Sequence, residues 1–102
     1  MEKRKPHYDL EAVKVDVARL GVAAFTRSAL DGGRALGLTS AEMLAIVQGL
    51  SRRVFYKSMT TYADSRLWQD VYHPTTDCGI ELYVKVTCRP EGPPVISFKE
   101  RT

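Results

Sequence analysis

The chain changes its hydrophobic period once, near Ser51, and that change limits what it can fold into. Ahead of Ser51 the apolar residues recur at helical spacing, and beyond it they alternate. Helices followed by a run of strands indicate an α+β domain: three helices packed on a twisted, mainly antiparallel β-sheet. A chain of 102 residues holds one substantial core and not two, so residues 1–102 are read as a single domain.

In the first half, Asp9 is placed to cap a helix whose Leu10, Val13, Val17 and Leu20 share a face and which Gly21 ends. Val22 to Phe25 is a short apolar run, expected as an edge strand. Thr26 is expected to cap a second helix through Leu36, although Gly32 and Gly33 weaken it. The third helix has the most completely written start. Thr39 and Glu42 make a capping box, with Leu38 and Met43 at the spacing of a hydrophobic staple. Met43, Leu44, Ile46, Val47 and Leu50 then predict a largely buried helix.

In the second half, strands are expected over about Val54 to Thr61, Leu67 to Pro74, Ile80 to Cys88 and Pro94 to Lys99. The third alternates best: Ile80, Leu82, Val84, Val86 and Cys88 point one way, and Glu81, Tyr83, Lys85 and Thr87 the other. In the fourth, Ile96 and Phe98 oppose Val95, Ser97 and Lys99. The first two strands give no clear facing, because Phe55 and Met59 share parity with Lys57, and Val71 with Gln69.

Charge adds a mild bias. The formal net charge is +3 and the pI about 9.0, which suits an anionic partner without demanding one. Seven basic and six acidic residues precede Ser51, and eight and six follow it, so an anion site must be a local cluster and not a tail. No apolar run approaches the ~20 residues of a membrane span, and Met1 to Lys5 leads into charge, so a cytoplasmic address with no membrane partner is expected. Cys78 and Cys88 lie at opposite ends of the third strand, roughly 33 Å apart if fully extended, which predicts two reduced thiols. Two cysteines without a CxxC pair also make a poor zinc site.

The stretch FYKSMTTYADSRLWQDVYHP, Phe55 to Pro74, resembles the core motif of the motility quorum-sensing regulator family, bacterial toxins of the RelE-like ribonuclease class. The likeness extends to the opening MEKRKPH, to Gly49 and Leu50, to LYVK at Leu82 to Lys85 and to VISFKE at Val95 to Glu100. It implies a RelE-like microbial ribonuclease fold and a toxin of a type II toxin–antitoxin system. The implied reaction is metal-independent cleavage of single-stranded mRNA, at GC-containing triplets, by attack of a ribose 2′-hydroxyl on the adjacent phosphate, with no cofactor. The implied partner is a two-domain antitoxin with a zinc-binding amino-terminal domain and a DNA-binding carboxy-terminal domain, operator DNA being reached only through it. The matching positions nominate Lys57, Gln69, Tyr83 and Lys99 as catalytic, with Lys85 and Tyr56 contacting RNA. The family pattern VYRP has an arginine where this chain has His73, a departure that puts RNA affinity in doubt.

Residues opposed in an antiparallel hairpin are equidistant from its turn centre and share a face. Lys57 and Gln69 are symmetric about Ala63, Gln69 and Tyr83 about Thr76, and Tyr83 and Lys99 about Glu91. All three midpoints fall in turn-like segments, the last in Arg89-Pro90-Glu91-Gly92-Pro93. A simple meander would set the four nominees in one row, unless the order is permuted or a bulge intervenes.

Neither His7 nor His73 has a histidine partner, so lysine and tyrosine would carry the proton transfers. Clustered Lys57, Lys85 and Lys99 are expected to bind protons less tightly, freeing one as base. Lys57 is assigned to the 2′-hydroxyl, Lys99 to the phosphate, Tyr83 to proton transfer or phosphate contact and Gln69 to orienting the RNA; acid and base labels remain exchangeable. Tyr56, Trp68 and Tyr72 are candidate base-stacking rings if exposed. Each feature also has an ordinary reading: strand lysines usually form a solvated face, and Phe55, Trp68 and Tyr72 suit a core. Two rival functions are a DNA-binding regulator, from the turn at Gly37 to Thr39, and a non-catalytic module that only binds the antitoxin. The polar complement of the third helix, chiefly Ser40, Glu42 and Gln48, is poor for a recognition helix.

Overall fold

The computed structural model describes residues 1–90 and 92–101. A two-residue strand β1 (Glu2–Lys3) precedes α1 (Leu10–Leu20), α2 (Arg27–Ala35) and α3 (Ser40–Gln48), and β2 (Phe55–Thr60), β3 (Trp68–Tyr72), β4 (Leu82–Cys88) and β5 (Pro94–Glu100) follow. The five strands form one sheet in the order β1-β2-β3-β4-β5, every pair antiparallel. The expected meander is present, extended by β1 on the outer edge of β2.

The caps are those written in the sequence. Asp9 accepts from the Glu11 and Ala12 amides, Thr26 from Ala29, and Thr39 and Glu42 close the capping box on each other's backbone. Each satisfies amides that the first turn leaves without a helical partner. One expectation fails: residues Gly21–Ala24 form a 3-10 turn and not an edge strand. Gly21, at φ 61, ends α1 in a conformation that favours glycine, and the chain then meets β5 at Phe25, which makes an isolated parallel bridge to Ile96 and sets its ring edge-on to Phe98.

The core lies between the helices and one sheet face. Val13 and Val17 of α1, Ala29 of α2 and Met43 and Val47 of α3 pack with Tyr72, Leu82, Val84, Val86, Ile96 and Phe98. Helices α2 and α3 approach closely at Gly33, where a Cβ would stand 2.3 Å from the Met43 sulfur. The amino-terminal arm is anchored by the buried Asp70 carboxylate, which accepts from the amides of His7 at 3.0 Å and Tyr8 at 2.9 Å. Tyr8 donates its hydroxyl to the Trp68 carbonyl at 2.7 Å.

Candidate active site

Among the described residues the other sheet face carries no helix, and its side chains follow from register. The pairs Tyr83↔Lys99, Lys85↔Ser97 and Thr87↔Val95 place the polar side of β4 against the polar side of β5. Across β3 the pairs are Gln69↔Thr87 and Val71↔Lys85, and across β2 they are Met59↔Gln69 and Lys57↔Val71. Lys57, Gln69, Tyr83, Lys85 and Lys99 therefore share the helix-free face.

They do not form one row. Tyr83 and Lys99 pair as expected, and the midpoint proposed for them, Glu91, lies outside the described residues. The other two symmetries are displaced: Gln69 opposes Met59 and not Lys57, and Thr87 and not Tyr83. The nominees run diagonally, from Gln69 past Lys57 and Lys85 to Tyr83 and Lys99. Thr87 and Tyr83 are four residues apart on β4, so Gln69 stands roughly 13 Å along the strands from the Tyr83 pair. Gln69 Nε2 donates to Thr87 Oγ1 at 3.3 Å, and its side chain borders the groove lined by Glu2, Met59 and Lys85.

A β-bulge explains why β2 gave no clear facing. Phe55 opposes Tyr72 and Lys57 opposes Val71, so Tyr56 and Lys57 together face one residue. The extra residue sends Phe55 to the core, edge-on to Tyr72, and lets Lys57, of equal parity, emerge on the opposite side. Tyr56 emerges beside it, stacked on His73 at 4.2 Å between ring centroids and 20° between planes. Val71 is buried beneath this face, apart from the main core cluster, and gives the site an apolar floor.

The electrostatics correct one expectation. Lys57 Nζ contacts Glu2 Oε2 at 2.6 Å, and that hydrogen bond holds Lys57 above the ordinary lysine value although burial opposes it. The same bond lowers Glu2. Lys57 is therefore an ammonium ion tied to a carboxylate, and repulsion among lysines does not loosen its proton. Tyr83 is raised by burial, with Lys57 pulling the other way, so its hydroxyl keeps its proton at neutral pH. Lys99 Nζ lies 5.2 Å from the centre of the Tyr83 ring, and Lys57 Nζ 5.4 Å from that of Tyr56.

His73, partly buried, belongs to this cluster. Its ring sits between Tyr56 and Tyr83, and its Nδ1 accepts from Arg101 at 3.2 Å. Burial, then the Arg101 charge, hold it below the usual imidazole value. Arg101 in turn pairs with Glu81. The fixed positive charge absent from position 73 thus stands next to it, on Arg101.

Two proposed stacking rings are corrected. Tyr72 is buried in the core, while Trp68 has His7 stacked on it at 5.2 Å and Lys3 Nζ 4.3 Å from its ring centre. Tyr56, 42% exposed, keeps accessible ring surface. The exposed residues of α3, namely Ser40, Ala41, Glu42, Ala45 and Gln48, include no basic side chain, which leaves a DNA-reading role without its chemistry. Among the described residues no three His, Cys, Asp or Glu side chains converge as a metal-ligand group, both cysteines are free, and no helix is long and apolar enough to cross a membrane.

Glu2 and Arg101 join the site without having been nominated from the sequence. A two-residue strand has no readable period, and Arg101 follows the last predicted strand. Only the quoted opening MEKRKPH gave a signal for Glu2.

The family described as motility quorum-sensing regulator, toxin of MqsA, matches residues 5–100. The chain is also similar to the mRNA interferase toxin MqsR of Escherichia coli strain K12, with 45% identity over 101 residues, covering 99% of this chain and 100% of the relative.

Proposed function

This chain belongs to the motility quorum-sensing regulator toxin family, and from that membership we propose that it is the endoribonuclease toxin of a toxin–antitoxin pair, cutting single-stranded mRNA without a metal. The observation that carries the reading is the convergence of Lys57, Lys85 and Lys99 around Tyr83 on a sheet face free of helices. Such a face admits an extended polyanion, and its cations lie where phosphate charge would gather.

In this mechanism the 2′-hydroxyl attacks its own phosphate, leaving a cyclic phosphate and a free 5′-hydroxyl. Lys57 and Lys99, as ammonium ions, hold the phosphate oxygens through the more highly charged transition state. Tyr83, its proton retained by burial, donates to the departing 5′-oxygen. Tyr56 stacks a base, and Gln69, roughly 13 Å along the strands, orients a flanking nucleotide together with Lys85. Positioning of the RNA supplies much of the rate. GC-containing triplets are the proposed targets. The antitoxin, with zinc-binding and DNA-binding domains, is proposed to capture the toxin by adding a strand at a sheet edge.

The test is incubation of the purified protein with defined RNAs in chelator, beside Lys57→Ala and Lys99→Ala. Products ending in 2′,3′-cyclic phosphate and 5′-hydroxyl, strongly reduced in both variants, are expected. Cutting that persists unchanged in both variants overturns the site.

A further inference from the structure

The attacking 2′-hydroxyl must lose a proton, and three groups of the cluster are poorly placed to take it. Lys57 is bonded to a carboxylate as an ammonium ion. Tyr83 holds its proton. His73 has Nδ1 engaged by Arg101 and Nε2 buried without a partner. The carboxylate of Glu2 differs from all of these. It is an acceptor only, 56% exposed, and 2.6 Å from the Lys57 ammonium.

Its position is built and not incidental. β1 pairs Glu2 with Met59, whose partner on the other side is Gln69, so Glu2 stands on the same sheet face as the nominees. The Met1 amino group bonds Thr60 Oγ1 at 3.1 Å, and the Thr60 amide bonds the Met1 carbonyl at 3.0 Å. Behind β1, Asp70 anchors the arm through His7 and Tyr8. The sheet order puts Lys57, on β2, between Glu2, on β1, and Tyr83, on β4. An in-line displacement at phosphorus needs its proton acceptor and proton donor on opposite sides of the phosphate, and that order supplies them.

Resting on the ribonuclease reading, we propose that Glu2 is the general base of the reaction, held in place by the Lys57 ammonium. Glu2 takes the 2′-hydroxyl proton as the 2′-oxygen bonds to phosphorus. The bond from phosphorus to the 5′-oxygen breaks, and the Tyr83 hydroxyl protonates that oxygen. Glu2 ends as a carboxylic acid and Tyr83 as a phenolate, and exchange with water restores both. Lys57 stays charged throughout: its ammonium fixes the carboxylate in place and keeps it ionised, while making it a weaker base.

The experiment compares the full-length wild type, Glu2→Gln, Glu2→Asp, Glu2→Ala and Lys57→Ala on a defined single-stranded RNA in chelator. Glu2→Gln is isosteric and is expected to lower kcat by about 10²–10⁴-fold, the span of a lost general base. KM should stay constant or fall, because a negative charge next to the phosphate has gone. Glu2→Asp should keep an intermediate rate, and added formate should restore part of the activity of Glu2→Ala and none to Lys57→Ala. A Glu2→Gln kcat within about threefold of wild type, with Lys57→Ala inactive, overturns the role of Glu2 and leaves the ribonuclease reading standing. A faster Glu2→Gln enzyme also overturns it, making the carboxylate a competitor of RNA. A wild type that cuts no RNA removes both readings.

Discussion

Replacing Asp70 by Asn tests how the arm that carries Glu2 is held. The buried carboxylate accepts from His7 and Tyr8 amides at 2.9–3.0 Å. Asparagine keeps an acceptor in the Oδ2 place, which serves Tyr8 and one branch of the forked His7 bond, and puts an NH2 in the Oδ1 place, where donor meets donor on the other branch. Hydrogen bonds to charged groups are worth roughly 1.5–3 kcal/mol each, so losing one and weakening the other costs about 2–4 kcal/mol. At roughly 5 °C per kcal/mol for a domain of this size, that is a fall in Tm of roughly 10–20 °C, less if the arm frays before the rest unfolds. Calorimetry measures the first, and hydrogen exchange at the His7 and Tyr8 amides detects the second. RNA cleavage should fall in step, since a detached arm takes Glu2 away from Lys57. Wild-type Tm together with wild-type protection of both amides would refute the anchoring role.

Gly33→Ala should destabilise by up to about 2 kcal/mol in urea titration, because overpacking against the buried Met43, about 1–3 kcal/mol, offsets or exceeds the ~1 kcal/mol helix-propensity gain; a variant stabilised by the full ~1 kcal/mol would deny the close α2–α3 contact. Native protein treated with iodoacetamide near pH 8 should take one adduct, on exposed Cys78, while burial pushes the half-buried Cys88 thiol up to about 11; equal labelling of both, read by mass spectrometry, would contradict this. Burial, then Lys3, holds His7 below the usual imidazole value, and burial, then Arg101, does the same for His73. The unfolded chain therefore binds more protons, and the stability these rings contribute is complete above pH ~6.5 and lost as pH falls below it. A denaturation midpoint flat from pH 7.5 to 5, or rising toward acid, would reverse that sign.

Local chemistry was legible in the sequence. Asp9, Thr26 and Thr39 each cap a helix through atoms within three residues, so no distant partner had to be known. The facing of β4 and β5 and the Tyr83–Lys99 pair could be read because both strands alternate without interruption. What failed depended on spacing that residue types do not display. The β2–β3 register centres one residue beyond Ala63, and the β3–β4 register two beyond Thr76, because loops of equal polarity permit several turn centres. The bulge at Tyr56 is silent in a parity count. Val22 to Phe25 is too short for a period, and its backbone followed the sharp exit at Gly21. Glu2 joins the site across 55 residues, with nothing in its neighbourhood to announce it.

The extra residue in β2 has an evolutionary and engineering corollary. A regular strand must choose, at every step, between feeding the interior and meeting solvent; by counting two positions as one, this ladder delivers an aromatic ring and an ammonium group to the same neighbourhood while Phe55 still plugs the inside. Removing Tyr56 would restore ordinary alternation with Phe55 still opposite Tyr72 and Lys57 still opposite Val71, so the cation would keep its face and the ring stacked on His73 would be lost. Conversely, anyone grafting the ring and the cation together onto a different scaffold must transplant the irregularity along with both.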